Sequence, residues 1–267
     1  MVTTWFKRSS RFKILAAIMT VALMLTLAVK VSAQVPTPSS STSLSSKLVN
    51  AFSPPRGPGS PMPDNREPGA TRDPRKGEGC TEAERGPIAL VPNPDEPAPT
   101  ASEYPTVFWY MPQTVAPAAE FLLRDETDKN YKDVYRVQYA LPKSTKGVVS
   151  PPGIKSLTIA NLYPLEIGQA YHWYLALICN PSNRSNDIVV QGFIKRVESD
   201  PTVASRIQQA TPEERIGLYA DARLWYETLG ALVELRRDRP NDPNLEDAWN
   251  RLLSSVGLEP VIAAKPG

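Results

Sequence analysis

Hydrophobic and polar positions divide the chain into stretches with different patterns. Residues 104–197 contain short runs rich in aromatic and β-branched residues, separated by turn signals, which is typical of strands. Residues 198–258 carry apolar residues at helical spacing between capping signals. The sequence therefore predicts an α+β protein in which a strand-rich domain is followed by a helical segment.

Residues 104–197 are predicted to form an antiparallel β-sandwich of the immunoglobulin or fibronectin type, because short strands follow one another without helical patterns between them. Tyr171 to Cys179 is apolar on both faces, which indicates a central strand. Tyr135, Val137 and Tyr139 alternate with polar residues, so their strand should bury one face. The other predicted strands are Thr106–Met111, Ala119–Arg124, Ile154–Ala160 and Ile188–Val197.

Two residues of the central strand are predicted to be structural. Leu165, Gly168 and Tyr171 have the spacing of a tyrosine corner, in which a tyrosine hydroxyl bonds a backbone group a few residues upstream. Tyr171 is therefore assigned a structural role, and Trp173 a place in the core of the sandwich.

The helical segment starts with an N-cap and proline at Asp200-Pro201 and continues with a capping box at Thr211 to Glu214. One apolar stripe then runs to Arg237, and a further helix begins at Asp242 and ends at Gly257. The stretch 219–240 resembles part of a tetratricopeptide unit. A single unit is not stable alone, so the helices should pack on each other and on the sandwich. Residues 259–267 are expected to form a flexible tail.

Residues 1–33 have the layout of a secretory signal peptide. A basic start with Lys7 and Arg8 precedes an apolar run from Ile14 to Val29, and small residues end at Ala33. We expect cleavage between Ala33 and Gln34. An uncleaved membrane anchor is the alternative, because the run approaches the length of about 20 residues that a membrane span needs.

Residues 34–103 form a Pro/Ser/Gly-rich arm, which holds half of the 28 prolines. Such a composition has little apolar surface to offset its ordering entropy, so the arm is predicted to be largely disordered. Only Ile88 to Val91 is expected to pair as a short strand. A plain tether is the favoured use, and binding of a partner or a cell-wall polymer is the alternative.

Export changes both the charge and the cysteine chemistry. The first 33 residues contain five basic residues and no acidic one, so their removal takes the formal net charge from +2 to −3. The mature chain then lacks the basic face that nucleic acid binding needs. An oxidising compartment favours a disulfide between Cys80 and Cys179. Two unpaired thiols, with Cys179 as a small buried residue, are the alternative.

Catalytic and metal-binding signatures are weak. His172 is the only histidine, and without a nucleophile motif it is interpreted as a hydrogen-bonded structural residue. Asp125, Glu126 and Asp128 share a loop that could bind calcium weakly, but a solvated hairpin tip is favoured. We therefore predict no catalytic residues, no metal ligands and no cofactor.

Aromatic side chains could form a platform for a sugar or a peptide, but packing in the core is favoured. The residues concerned are Phe108, Trp109, Tyr110, Trp173 and Tyr174, with Trp225 and Tyr226 in the helices. Exposure of Trp109, Trp173 and Trp225 would indicate a binding face.

Several segments together resemble the cyanobacterial domain-of-unknown-function family nine-two-eight, from about Gly57 to Leu258. The segments that carry the resemblance are Gly69–Arg72, Tyr104–Pro112, Ala119–Leu123, Tyr171–Trp173, Cys179-Asn180, Gly192–Val197, Leu224–Leu229 and Trp249–Leu253. The resemblance implies an exported cyanobacterial protein, and it implies no activity.

These observations favour a non-enzymatic periplasmic, envelope or extracellular protein that binds another protein or a glycan. Contact with the membrane is expected only through an uncleaved signal. The alternative is a hydrolase of an envelope polymer, which would need two carboxylates facing each other in a cleft.

Overall fold

Strand β7 (Ala170–Ile178) lies at the centre of a five-stranded sheet in the computed structural model of the chain. It pairs antiparallel with β4 (Ala118–Asp125) and β8 (Ile188–Arg196), and its Tyr171 and Trp173 side chains are fully buried. The prediction of a central strand at this position is confirmed. The structure describes residues 43–53, 80–81, 86–127, 131–141, 152–159 and 163–264.

The two outer strands of this sheet differ in length and direction. Strand β5 (Lys132–Ala140) pairs antiparallel with β4, and β2 (Ala98–Thr100) pairs parallel with β8. The sheet order is β2-β8-β7-β4-β5, so it is mixed rather than purely antiparallel as the sequence predicts. A proline in β2 suits an edge position, because an edge strand tolerates a missing backbone N–H.

A second sheet contains β1 (Ile88–Ala89), β3 (Thr106–Met111) and β6 (Gly153–Thr158) in the order β1-β3-β6, with antiparallel pairing. Both sheets contribute to one continuous hydrophobic core. The short strand predicted at Ile88 to Val91 is present. The two sheets and the helices confirm an α+β fold.

Four helices follow β8: α2 (Pro201–Gln209), α3 (Pro212–Asp221), α4 (Trp225–Asp238) and α5 (Pro243–Ser255). The predicted capping box is formed, since Thr211 accepts from the Glu214 N–H and the Glu214 side chain accepts from the Thr211 N–H. Gly257 ends helix α5 with a positive φ of 74°. A short 3-10 helix, Glu259–Val261, follows it with Val261 fully buried, so the flexible tail predicted at residues 259–267 is wrong for the described residues up to 264. The start signals read from the sequence are therefore confirmed.

The single apolar stripe predicted up to Arg237 is divided between two helices. The chain leaves α3 at Ala222 and adopts a left-handed conformation at Arg223 (φ 57°), and the Leu224 N–H then donates to the Tyr219 carbonyl at 3.0 Å. This turn redirects the chain. Helix α3 contacts α4 and a helix formed by residues 44–52, whereas α4 also contacts β2 and β3.

The arm departs from its predicted disorder, because residues 44–52 form helix α1 (Leu44–Phe52). Its N-cap Ser43 accepts from the Ser46 N–H at 3.2 Å, and Leu48 is fully buried against the core. Helix α1 packs on α3 and α5. No helix among the described residues is long and apolar enough to cross a membrane.

Candidate functional site

The disulfide between Cys80 and Cys179 joins the arm to the end of the central strand, with the two Cα atoms 5.1 Å apart. The Cys80 carbonyl accepts from the Thr114 hydroxyl at 2.6 Å and from the Val115 N–H at 2.8 Å. The predicted pairing is present. Ala33 and Gln34, the predicted cleavage site, lie outside the described residues.

Tyr171 and Trp173 have structural contacts. The Glu166 N–H donates to the Tyr171 hydroxyl at 2.9 Å, which is the bond predicted for the tyrosine corner. Burial raises the pKa of Tyr171 to about 12, so the hydroxyl stays protonated at neutral pH. The Trp173 indole donates to the Tyr226 hydroxyl at 3.2 Å, which links the sheet to α4.

His172 is enclosed on the opposite face of β7, where it is 7% exposed. Its ring lies between Tyr174 and Phe193, and its Nδ1 is 2.6 Å from the Tyr174 hydroxyl and 3.3 Å from Glu126 Oε1. Burial lowers the pKa of His172 to about 4, so the ring is neutral at pH 7. Both cysteines are in the disulfide, so neither can serve as a nucleophile beside it. These contacts match the structural role predicted for His172.

The predicted aromatic platform divides into buried and half-buried residues. Trp109 is 7% exposed, and Trp173 and Trp225 are fully buried, which confirms the core interpretation for these tryptophans. Tyr110 and Tyr174 are half-buried. The alternative, a binding face made by these three tryptophans, is therefore not formed.

The acidic loop after β4 has the form of a hairpin connection to β5. Asp125 accepts from the Thr127 N–H at 2.8 Å, which closes a local turn. Asp128 lies outside the described residues. Within the described ranges, no group of three or more His, Cys, Asp or Glu residues is placed to hold a metal ion.

A cleft of about 200 Å³ lies where the loop between β2 and β3 meets α3 and α4. Three tyrosines and two glutamates line it together with small and hydroxyl-bearing residues, and we call it the tyrosine–glutamate cleft. Its lining residues are Thr100, Ser102, Tyr104, Pro105, Thr106, Tyr219, Tyr226, Glu227, Gly230, Ala231 and Glu234.

Glu227 anchors the loop that forms one wall of the cleft. Its Oε1 accepts from the Thr100 hydroxyl at 2.7 Å and from the N–H groups of Ala101 and Ser102 at 2.8 and 2.9 Å. Its Oε2 is buried and has no hydrogen-bond partner among the described residues. A buried carboxylate oxygen without a donor is unfavourable, so Glu227, which lines the cleft, retains one unsatisfied acceptor.

The half-buried Tyr104 and Tyr219 give the cleft flat apolar surfaces and hydroxyl groups, whereas the Tyr226 hydroxyl is already engaged. Burial, reinforced by the Glu227 and Glu234 carboxylates, raises the pKa of Tyr219, which keeps its hydroxyl protonated. The buried Tyr226 hydroxyl donates to the Phe193 carbonyl at 3.0 Å, so this tyrosine is held rigidly. Among the residues that the structure describes, no basic side chain lines the cleft. Its chemistry suits a neutral or cationic ligand that donates hydrogen bonds.

Sequence reasoning did not identify this site. One wall comes from residues 100–106 and the other from residues 219–234, which are more than a hundred positions apart. Trp225-Tyr226 was singled out as aromatic, but no local motif connects it with Tyr104. The signal available was the half-buried Tyr219 and the exposed Glu234 on α3 and α4, which lie outside the buried core.

The family model described as Domain of Unknown Function (DUF928) matches residues 67–266 of the chain. That range covers both sheets, the disulfide and the tyrosine–glutamate cleft. Neither a curated protein nor a solved structure matches the chain.

Proposed function

We propose that this chain, which belongs to the Domain of Unknown Function (DUF928) family, is an exported, non-catalytic protein that binds a glycan of the cell envelope. The ligand would occupy the tyrosine–glutamate cleft. The observation that carries this proposal is that Glu227 lines the cleft while its Oε2 has no hydrogen-bond donor among the described residues.

Glycan chemistry fits the cleft better than a protein partner does. Sugar rings present hydroxyl donors at their edges and apolar C–H faces, and the cleft offers carboxylate acceptors beside tyrosine rings. A volume of about 200 Å³ is small compared with the clefts of about 300–1,000 Å³ that hold drug-sized ligands. We therefore infer recognition of one sugar unit, with the rest of the polymer outside the cleft.

Binding without hydrolysis is favoured by the positions of the two carboxylates. Glu227 and Glu234 belong to the same helix, α4, and are seven residues apart, which is a rise of about 10 Å. Glycosidases place two carboxyl groups on opposite sides of the scissile bond. In addition, three hydrogen bonds occupy Glu227 Oε1, so this glutamate serves to hold the loop and to accept from the ligand.

Export to the periplasm, the envelope or the medium is part of the same proposal. It is supported by the signal-like layout of residues 1–33 and by the Cys80–Cys179 disulfide, since disulfides persist in oxidising compartments. Mass spectrometry of the exported protein should find an N-terminus at Gln34. An N-terminus at Met1 would instead indicate an anchor.

We also infer that the two sheets form an immunoglobulin- or fibronectin-like sandwich and that α3 and α4 form a tetratricopeptide-like pair. The tyrosine corner bond of Tyr171 supports the first, and the packing of α3 on α4 supports the second. A cyanobacterial origin rests on the family resemblance alone.

The binding proposal is tested by calorimetric titration of the purified protein with soluble envelope oligosaccharides. Glu227→Gln keeps an acceptor for the loop but replaces one carboxylate oxygen by an N–H₂ donor. We expect it to weaken binding about tenfold or more, because a charge-assisted hydrogen bond is lost.

Glu198→Gln is the matched control, because Glu198 is exposed after β8 and lies outside the cleft. It should bind as the unchanged protein does. Absence of binding to every oligosaccharide, or equal loss in both variants, would refute the proposal. Release of reducing sugar during the titration would favour the hydrolase instead.

A further inference from the structure

Strand β5 has a neighbour on one side only among the described residues, because it pairs with β4 and ends the sheet order. The Leu141 N–H donates to the Pro117 carbonyl at 3.0 Å, in the same register as the strand pair. Backbone groups alternate in direction along an antiparallel strand. The N–H and C=O groups of Arg136, Gln138 and Ala140 therefore point away from β4, toward the open edge.

The inner face of β5 carries an apolar stripe that the described residues cover only in part. Tyr135, Val137 and Tyr139 lie on the face that continues the core, and the Tyr135 ring is 6.2 Å from the buried ring of Phe121. Tyr135 and Val137 are half-buried, and Tyr139 is 39% exposed. Among the described residues, the partly covered stripe and the unpaired backbone edge thus belong to the same strand.

The charges on the outer face of β5 are already paired within one chain. Arg136 is 2.9 Å from Asp133 and 3.5 Å from Glu120, measured between side-chain N and O atoms. A positive charge at an edge normally discourages pairing between strands. Because Arg136 is compensated by these carboxylates, it is a weak barrier to a strand that approaches the edge.

We propose that β5 pairs antiparallel with β5 of a second copy of this chain, about a two-fold axis at Val137. This register places Tyr135 opposite the second copy's Tyr139 and Arg136 opposite its Gln138, so aromatic rings meet and like charges do not. Aromatic pairs of this kind stabilise adjacent strands. The outward-facing groups of Arg136 and Gln138 form the hydrogen-bonded pair, and the two sheets become one sheet of ten strands.

A second copy fits this edge because the edge is self-complementary. In an isologous contact both copies use the same surface patch, so the apolar stripe of one copy must pack against the same stripe of the other. The Tyr135, Val137 and Tyr139 stripe does so in the register centred on Val137. A strand from a different protein would also form backbone hydrogen bonds with this edge, but its pairing would not require a register that is symmetric about Val137.

The first test measures the mass of the purified full chain in solution by light scattering after size-exclusion chromatography. We expect a dimer. Gln138→Pro removes one outward N–H and leaves the ladder to β4 intact, since that N–H does not face β4. This variant should be monomeric at concentrations where the unchanged protein is dimeric, and Gln138→Ala, which keeps the N–H, should remain dimeric.

The second test fixes the register. In the proposed dimer the two Val137 residues form a non-hydrogen-bonded pair with Cα atoms about 4.5 Å apart, within disulfide range. Val137→Cys should therefore give a covalent dimer on a non-reducing gel. Gln138→Cys should not, because its two copies are offset by two residues, or about 7 Å, along the strand.

A monomeric unchanged protein, a dimer that survives Gln138→Pro, or a Val137→Cys variant that does not cross-link would each overturn the proposal. Thermal unfolding of Gln138→Pro in parallel checks that the variant folds. If it does not fold, the cross-linking result decides.

Discussion

At the residue scale, Gly192 shows how closely the layers of the molecule approach. It lies on β8 opposite Trp173, and a Cβ at this position would be 2.8 Å from two atoms of the Trp173 ring and from Val91 Cγ1. Gly192→Ala forces a rigid buried ring to move, so we expect the free energy of unfolding to fall by about 1–3 kcal/mol. Urea denaturation measures it.

Gly217 provides the opposite case and serves as the control. A Cβ there would meet only the flexible Lys47 side chain at 3.5 Å, and Gly217 lies within helix α3. Gly217→Ala should leave stability unchanged or raise it by up to about 1 kcal/mol, because alanine favours the helix. Equal effects at the two positions would contradict this account of packing at Gly192.

His172 gives stability a pH dependence whose direction follows from its pKa. Burial lowers the pKa from 6.5 to about 4, so between these values the unfolded chain binds more protons than the folded one. Stability from this group is present above pH 6.5 and is lost as the pH falls toward 4. The loss should be on the order of 2 kcal/mol.

The contribution of His172 can be isolated by comparing urea denaturation at pH 7 and pH 4.5 with that of His172→Phe, which keeps a ring between Tyr174 and Phe193. The variant should lose less stability on acidification. Burial raises the pKa of the neighbouring Glu126, which contributes an opposite slope in both proteins. Parallel profiles for the two proteins would refute the assignment.

At the element scale, helix α1 belongs to the folded unit although it lies in the arm. Leu48 is fully buried, the Ser45 hydroxyl donates to Asp247 at 2.5 Å, and the Phe52 ring contacts Trp225 edge-on at 5.0 Å. Leu48→Ala should destabilise the protein by about 2–5 kcal/mol. Denaturation measures the total loss, and hydrogen exchange should show α1 opening first.

Asn50→Ala is the matched control for helix α1, because Asn50 is exposed on the same helix. It should change stability by less than about 0.5 kcal/mol. If Leu48→Ala were equally mild, α1 would have to be regarded as loosely attached.

Elements with strong local signals could be predicted from the sequence. Strand β3 has the predicted bounds, and the N-caps at Asp200 and Asp242 accept from Thr202 and Asn244 as expected. The sequence did not predict helix α1, because a short amphipathic helix is difficult to recognise within a Pro/Ser-rich segment. The parallel pairing of β2 was missed because it depends on β8, about 95 positions later.

At the scale of the whole molecule, the candidate site could not be predicted because folding alone brings its two walls together. Glu227 reaches the loop at Thr100 across 127 positions, and no pattern in either segment encodes that contact. The disulfide was predictable, since that prediction needed only the number of cysteines and the signal-like layout of residues 1–33. A disulfide that depends on the number of cysteines and on the compartment can be predicted from the sequence. A binding site whose walls are brought together by packing cannot.

The disulfide is expected to contribute substantially to the stability of the whole molecule. Cys80 and Cys179 are 99 positions apart, and restricting so long a loop in the unfolded chain is worth about 4–5 kcal/mol in the chain-entropy model. The bridge also holds the Cys80 carbonyl, which accepts two hydrogen bonds near Thr114. Cys80→Ser combined with Cys179→Ser should therefore lower the free energy of unfolding by several kcal/mol.

Urea denaturation with and without a reductant separates the bridge from the effects of the two substitutions. Reductant should destabilise the unchanged protein to nearly the level of the double variant, and it should leave the double variant unaffected. An unchanged protein that is insensitive to reductant, although its bridge is reduced, would show that the folded core already holds the arm without the bridge. The disulfide would then act during folding rather than stabilise the folded state.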